Sequence, residues 1–267
     1  MKIAYSGIEG AFAYIAAKRI FPNEELVSFG DFRSAYEAVE NGSCDYAVLP
    51  IENSYAGEVA QVSDLMFQGS LFLNGVYSLN VIQNLLGIKD AKLEDIREVI
   101  SHPQALEQCA DFIKFCGFKS QEAINTARAA KNVSELGDKT IAAIASRETA
   151  ELYGLKILKE GINGKQDNST RFAILSRDGQ KRFSDNEKTV VIMFTVKDEA
   201  GALVKVLNKL SEFGFNMSVI RSRPVKGLAW TYYFYIEAQG EYGSDEWEQM
   251  ILEMKYRCHT LKVLGRF

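Results

Sequence analysis

The stretch Asn168-Ser169-Thr170-Arg171-Phe172-Ala173-Ile174-Leu175 changes character halfway along. Amide, hydroxyl and guanidinium side chains give way to an unbroken apolar run. Before it lies Gly161 to Asp167, too rich in Gly, Asn and Asp for a regular element. Such a loop followed by a short apolar run predicts a loop feeding a buried strand. A hydroxyl, a guanidinium and a ring then arrive together at a strand mouth, where the scaffold is rigid and water still enters. Such places hold sites more often than cores do. Taken alone, the first five residues read as a polar loop end, and it is their company along the chain that reads otherwise.

Toward the N-terminus, Ile3-Ala4-Tyr5 reads as a strand and Ser6 to Gly10 as a turn feeding a helix that carries Ala16, Ala17 and Ile20. A strand, a glycine turn and a helix N-terminus make an anion cradle. The G-x-x-G spacing is too short for a dinucleotide fingerprint, which disfavours NAD. Phe32, Ala35, Tyr36 and Val39 recur at helical spacing. Tyr46 to Leu49 is a buried strand, and Pro50 to Gly57 leaves its C-terminal end, where open α/β sheets place ligands. Glu52, Asn53 and Ser54 read equally as a turn with local side-chain to backbone bonds.

Val76 to Leu86 reads as one longer alternating strand. Ser101-His102-Pro103-Gln104 follows the strand residues Val99 and Ile100 with the spacing of a capping box. Gln108, four residues after Gln104, shares its helix face. Thr126 is a second expected cap, and Ile141 to Ala145 a further strand leading into Ser146. Alternating strands and helices predict α/β layers with mostly parallel strands.

Residues 181–188 are polar and aperiodic, the composition of a linker. Beyond them the pattern is strand 189–196, helix 202–213, strands 216–223 and 228–238, helix 244–257 and strand 260–264. This is the β-α-β-β-α-β order of a ferredoxin-like unit. Leu203, Val206, Leu207 and Leu210 form one helical stripe, read as core.

The 267-residue chain has net charge −4 and 47% hydrophobic residues, a balance that fits a core-forming globular protein and suggests no nucleic-acid or polybasic membrane surface. Cys44, Cys109, Cys116 and Cys258 form no C-x-x-C pair, so free thiols in a reducing cytoplasm are expected. With only His102 and His259 present, a multi-histidine metal site is excluded. The start reads as a first strand and not as a secretory leader.

Four ordered stretches resemble the prephenate dehydratase family in its single-function form with a C-terminal ACT domain. They are Leu49 to Ser54 with Gly57; Ser101 to Leu106 with Gln108-Cys109; Ala142 to Ser146 with Tyr153-Gly154-Leu155; and Asn168 with Thr170-Arg171-Phe172. Gly201-Ala202-Leu203 and Ser222-Arg223-Pro224 resemble the effector motifs of that ACT domain. The resemblance implies a two-lobed, periplasmic-binding-protein-like catalytic domain over 1–180, followed by an ACT domain over 189–267. Lobe one would hold about 1–75 and 163–180, and lobe two about 76–162. It implies that Thr170 is the general acid in the decarboxylating dehydration of prephenate to phenylpyruvate. Glu52, Asn53, Ser54, Gly57, Ser101, Gln104, Gln108, Arg171 and Phe172 would bind substrate. Gly201, Ala202, Leu203, Val204, Asn216, Ser222, Arg223 and Pro224 would bind a phenylalanine effector. It further implies no metal or cofactor, a homo-oligomer (dimer or tetramer) and a cytoplasmic location. A fused chorismate mutase is not expected, since no long helical segment precedes Met1.

In a strict strand Arg171 points away from the face shared by Thr170 and Phe172, so its role is less settled than that of Thr170. Several positions depart from the family pattern: Ala11 and Ala13 lack the usual hydroxyls, Gly164 stands for a common aspartate, Ala200 for a proline and Arg221 for a glutamate. These departures bear on arogenate as an alternative substrate and on the strength of phenylalanine inhibition. A non-catalytic amino-acid-sensing protein is the rival from another class.

Overall fold

A computed structural model describes residues 1–164, 168–179, 183 and 188–267. The first lobe begins β1 (Lys2–Ser6), α1 (Phe12–Ile20), β2 (Glu25–Phe29), α2 (Phe32–Glu40) and β3 (Tyr46–Asn53). It continues through β4 (Gly57–Glu58), α3 (Ala60–Gln68) and β5 (Phe72–Asn80). The second lobe holds β6 (Asn84–Gly87), β7 (Glu98–Ser101), α4 (Pro103–Gln108), α5 (Ala110–Cys116) and β8 (Lys119–Glu122). After these come α6 (Thr126–Leu136), β9 (Ile141–Ala145), α7 (Arg147–Leu152) and β10 (Lys156–Lys159). The chain returns to the first lobe through β11 (Ser169–Ser176). The C-terminal unit is β12 (Thr189–Thr195), α8 (Ala202–Glu212), β13 (Asn216–Pro224), β14 (Tyr232–Gln239), α9 (Asp245–Lys255) and β15 (Thr260–Arg266).

Two sheets result. One runs β13-β14-β12-β15-β5-β11-β3-β1-β2 with β4 beside β3, and the other runs β10-β6-β9-β7-β8. The expected mostly parallel arrangement holds for β2-β1-β3 and β8-β7-β9, with one further parallel contact where β15 meets β5. The crossing segments are antiparallel, β5 with β11 in one lobe and β6 with β10 in the other, because the chain leaves and returns along the same path. The run Val76 to Leu86 is therefore two strands in different sheets, and the crossing falls at 81–83, not near 75. No Gly or Pro marks the break, and apolar residues resume at Leu85 after the pair Gln83-Asn84. The segment read as a linker lies outside the described residues except for Phe183 and Lys188, and so do Lys165, Gln166 and Asp167.

Side-chain caps set the starts of α2, α4, α6, α7 and α9. Asp31 accepts from the Ser34 amide at 2.7 Å and Asn125 from the Arg128 amide at 2.7 Å. Asn125, and not Thr126, therefore starts α6, while Thr126 is buried at its first turn. His102, and not Ser101, caps α4, its Nδ1 accepting from the Gln104 amide at 3.3 Å.

The C-terminal unit has the expected β-α-β-β-α-β order. One face of its sheet is covered by α8 and α9 around Phe194, Val206, Leu210 and Trp247. The other face is not a surface: Val191, Met193, Tyr233, Tyr235 and Leu264 share a core with Leu49, Val62, Met66 and Leu73 of the first lobe. Phe67 stacks on Tyr233 with ring centroids 4.3 Å apart. The join is continued by β15 pairing with β5 at Gly265 and Leu73, where a Cβ on Gly265 would stand 1.9 Å from the Leu73 carbonyl oxygen. Any side chain there would separate the strands.

Lys262 of β15 donates to the Met66 carbonyl at 2.7 Å and the Gly69 carbonyl at 2.5 Å, closing the C-terminal end of α3. Burial pushes its pKa down to about 8, against a smaller opposing pull from Glu40. The unfolded chain holds this proton up to the ordinary lysine range, so between about pH 8 and 10 it binds more protons than the fold. The penalty from this group is present below pH 8 and is relieved as pH rises. Melting temperatures from pH 7 to 10 will rise more steeply for wild type than for Lys262→Met, whose profile loses that component.

Candidate functional site

Asn53 ends β3, and its orientation is decided by unambiguous donors. Its Oδ1 accepts from the backbone amides of Tyr55 at 3.0 Å and Ala56 at 2.9 Å. The amide therefore cannot be flipped, and Nδ2 points at β11. There it donates to Asn168 Oδ1 at 2.8 Å, Thr170 Oγ1 at 3.0 Å and the Ser169 carbonyl at 3.2 Å. The direction propagates along a chain of amides. Asn168 Nδ2 donates to Gln108 Oε1 at 2.8 Å, and Gln104 Nε2 donates to Asn53 Oδ1 at 3.2 Å. Thr170 Oγ1 thus receives a hydrogen bond from Asn53 and keeps its own hydrogen for another acceptor.

The register that makes this possible is local. Thr170 lies opposite Asn53 and Arg171 opposite Glu52, but Phe172 lies opposite Pro50, so Ile51 is an extra residue in β3. A bulge re-aims side chains at a strand end, and it also accommodates a proline inside a sheet.

Thr170, Asn53, Asn168, Gln104 and Gln108 line a cavity of about 280 Å³ between the lobes, together with Ala11, Phe12, Phe32, Val81, Gln83, His102, Ala105, Ile124, Asn125 and Thr126. This is the scale of one small ligand. None of these fifteen side chains is Asp, Glu, Lys or Arg. Ala11 and Phe12 open α1, whose N-cap has no side-chain bond, and Asn125 and Thr126 open α6. Two helix N-termini from opposite lobes therefore bring positive dipole ends to the cavity. Burial lowers the His102 pKa against a smaller pull from Glu122, which keeps the ring neutral near pH 7 with its hydrogen on Nε2. A larger open groove of about 830 Å³ beside it shares His102 and Ile124 but contains none of the amide chain.

The lobes also meet directly. Thr149 Oγ1 donates to the Gly10 carbonyl at 2.8 Å and Tyr153 to the Glu9 carbonyl at 2.7 Å. Gly10 has φ +87°, and a Cβ there would stand 3.1 Å from Leu152 of α7. The turn expected as an anion cradle is thus gripped through its carbonyls, and only the helix it feeds faces the cavity.

Of the expected substrate contacts, Asn53, Gln104 and Gln108 come together with Thr170. Ser54 is beside them, its Oγ accepting from the Ser169 amide at 3.0 Å, and Gly57 pairs with Asn53 in the β3–β4 hairpin. Four others stand elsewhere. Ser101 is fully buried and donates to the Ile144 carbonyl at 2.6 Å, bracing β7 against β9. Phe172 is buried among Ile3, Val48 and Ile174 as core. Glu52 and Arg171 point to the opposite face of the sheet and pair with each other at 3.0 Å. Among the expected effector residues, Arg223 is engaged by Asp64 of α3 at 3.0 Å. Gly201 caps α8 with φ +81°, Ala202 is buried, and Leu203 packs into the unit's own core. Val204, Asn216, Ser222 and Pro224 are exposed.

Gln83 was not anticipated. It sits at the lobe crossing with its backbone fixed: its amide donates to Asn163 Oδ1 at 3.2 Å, and its carbonyl accepts from the Ile162 amide at 2.9 Å. Its side chain is 2% exposed and lines the cavity, yet Oε1 has no partner. The signal in the sequence was the pair Gln83-Asn84 interrupting an apolar run.

Fold and site together define a two-lobed α/β protein whose cavity at the crossing is polar and, among the described residues, uncharged, with a β-α-β-β-α-β unit fused to one lobe. Residues 3–180 match the family model for prephenate dehydratase, and the chain belongs to that family. It is 36% identical over 271 residues to the bifunctional chorismate mutase/prephenate dehydratase of Enterobacter agglomerans, covering 99% of this chain and 70% of that protein. It is 35% identical to the chloroplastic arogenate dehydratase/prephenate dehydratase 1 of Arabidopsis thaliana, covering 99% and 71%. A solved structure described as GqqA, a novel type of quorum quenching acylase, superposes with TM-score 0.90 at 30% identity, covering 100% of this chain and 97% of that one. The prephenate dehydratase of Arthrobacter aurescens in complex with L-Phe gives TM-score 0.90 at 24% identity, covering 100% and 89%, a likeness of fold.

A buried acceptor without a partner costs a fold about 1–3 kcal/mol. Gln83→Met removes that acceptor at similar volume, so the melting temperature of the ligand-free protein will rise by a few degrees. The same variant will lose roughly tenfold in kcat/KM for prephenate, measured by initial rates.

Proposed function

We propose that this protein is a prephenate dehydratase inhibited by phenylalanine, with Thr170 as the proton donor. The observation that carries the reading is the bond from Asn53 Nδ2 to Thr170 Oγ1, which leaves the hydroxyl hydrogen available in the cavity. A donated bond to Oγ1 also increases the acidity of its hydrogen, since it stabilises the developing alkoxide. In the reaction the bond between the ring and its carboxylate breaks to release CO2, and its electron pair enters the ring. The ring C–OH bond breaks as Thr170 delivers a proton, so hydroxide leaves as water and the ring becomes aromatic. Solvent then returns the proton to Thr170. Assistance of this kind contributes roughly 10²–10⁴-fold.

The uncharged wall suits the other half of the step. A carboxylate held by a cationic side chain is stabilised as an anion and resists departure as CO2. Amides and helix N-termini orient it without that penalty. Prephenate is favoured over arogenate because none of the described side chains lining the cavity is acidic and able to pair with an ammonium group.

For the effector, Gly201, Val204, Asn216, Ser222 and Pro224 are the residues we assign to phenylalanine, in a homo-oligomer that brings two such units together. Among the described residues no helix is long and apolar enough to cross a membrane.

Purified protein supplied with prephenate will yield phenylpyruvate, read by its absorbance in alkali, and added phenylalanine will suppress the rate. Thr170→Ala will lose about 10²–10⁴-fold in kcat while its melting temperature stays within a few degrees of wild type. Wild-type protein inert on both prephenate and arogenate would remove the assignment.

A further inference from the structure

Successive residues of a strand face opposite sides. In the β3–β11 pair this sends Thr170 and Asn53 to the cavity and the next register pair, Arg171 and Glu52, to the C-terminal unit. There Arg171 meets a built receptor. Its Nη1 lies 3.0 Å from Glu52 Oε2 and 3.0 Å from Glu237 Oε1, and its Nη2 lies 3.0 Å from Glu237 Oε2. The contact with Glu237 is a two-pronged fork, the geometry in which guanidinium and carboxylate are most specific. Glu237, on β14, is 3% exposed and also accepts from the buried Tyr235 hydroxyl at 2.8 Å. Arg221, on β13, closes the cluster by donating to Glu52 Oε1, and its guanidinium lies 5.4 Å from the Tyr235 ring centroid. Phe267 covers Arg171 at 5.0 Å.

Two cations and two anions balance, and every charged group has a partner. Removing one member leaves an uncompensated charge in a largely buried place, which the structure relieves by moving. The nearest thing to move is the end of β11, one residue from the proton donor. Neither strand can slide without carrying Thr170 and Asn53, because the bulge at Ile51 confines this register to the strand ends.

We propose that Arg171 is a positioning residue, and that with Glu52, Glu237 and Arg221 it fixes the Thr170–Asn53 pair from the regulatory side of the sheet. The C-terminal unit thereby completes the catalytic geometry instead of only modulating it. Turnover as a readout rests on the function proposed above, whereas the exchange readout below does not.

The test uses the full chain with Glu237→Gln, Arg221→Met, Arg221→Lys and the milder Tyr235→Phe. Displacements near 1 Å at a reacting group cost on the order of 100-fold. Glu237→Gln and Arg221→Met will therefore lose about 10- to 100-fold in kcat with KM close to wild type. Arg221→Lys will retain most of the rate, and Tyr235→Phe will fall between. Amide exchange across Ser169–Ser176 will accelerate in the impaired variants, while exchange in β7 and β9 stays unchanged. A folded Glu237→Gln or Tyr235→Phe protein with wild-type kcat and wild-type exchange in that segment overturns the proposal. So does a loss of melting temperature with kcat per folded molecule unchanged. If wild type turns over neither prephenate nor arogenate, the assigned function falls, and the exchange of Ser169–Ser176 still decides the positioning role.

Discussion

The site depends on one amide that cannot turn round. Two backbone N–H groups, from Tyr55 and Ala56, hold Asn53 Oδ1, so Nδ2 must face β11. From that constraint follow the orientation of Asn168, the acceptor face of Gln108 and the free hydrogen of Thr170. Networks of this kind are rigid when every member is satisfied and costly when one is not. The turn that supplies the two amides belongs to the short β3–β4 hairpin, where Gly57 has φ +80°. Backbone geometry outside the cavity thus sets hydrogen-bond direction inside it.

Much of this was legible in residue order. Loop chemistry before Thr170, the polar exit from the strand at Leu49 and the β-α-β-β-α-β period of the tail were all local patterns, and local patterns survive folding. What did not survive was anything decided by which face of a sheet a residue takes. Glu52, Asn53 and Ser54 form a continuous polar run, but the pleat separates them. Arg171 beside Thr170 read as a substrate contact, yet strand alternation carries it to the other side. The direction of that swing was readable from the period of two. Its destination on Glu237 was not, because the partner lies 66 residues away in another unit. Ser101 misled for a similar reason: its spacing to Gln104 matches a capping box, but the helix starts one residue later with His102 as its cap, and the Ser101 hydroxyl donates across the sheet to the Ile144 carbonyl.

Charge is sorted sharply by this arrangement. None of the described side chains of the cavity wall is Asp, Glu, Lys or Arg, while the face of the same strands turned to the C-terminal unit holds Arg171, Glu52, Arg221 and Glu237 in contact. A second cluster on that side joins Asp64 to Arg223, Lys226 and the Tyr233 hydroxyl, and these donors lower the Asp64 pKa despite the opposing effect of its burial. Arg221 and Arg223 are two residues apart on β13 and so share a face, and both reach carboxylates of the first lobe. The motif segment Ser222-Arg223-Pro224 is therefore divided by the pleat. Ser222 and Pro224 turn outward, and Arg223 turns inward to the lobe.

That division has a mechanical consequence. A ligand or partner acting on the outer face of β13 meets Ser222 and Pro224, whereas the inner face of the same residues' strand is tied by two guanidinium groups to β3 and α3. A strand displaced from outside must either break those pairs or carry Glu52 with it. Breaking a desolvated pair leaves a charge uncompensated, which is the costlier course when the C-terminal unit is already close-packed on the first lobe through Tyr233 and Tyr235. Displacement of β13 therefore transfers to Glu52, and Glu52 is the direct chain neighbour of Asn53. Coupling between the units requires no long path: it crosses one ion pair and one peptide bond before reaching the amide that orients the Thr170 hydroxyl.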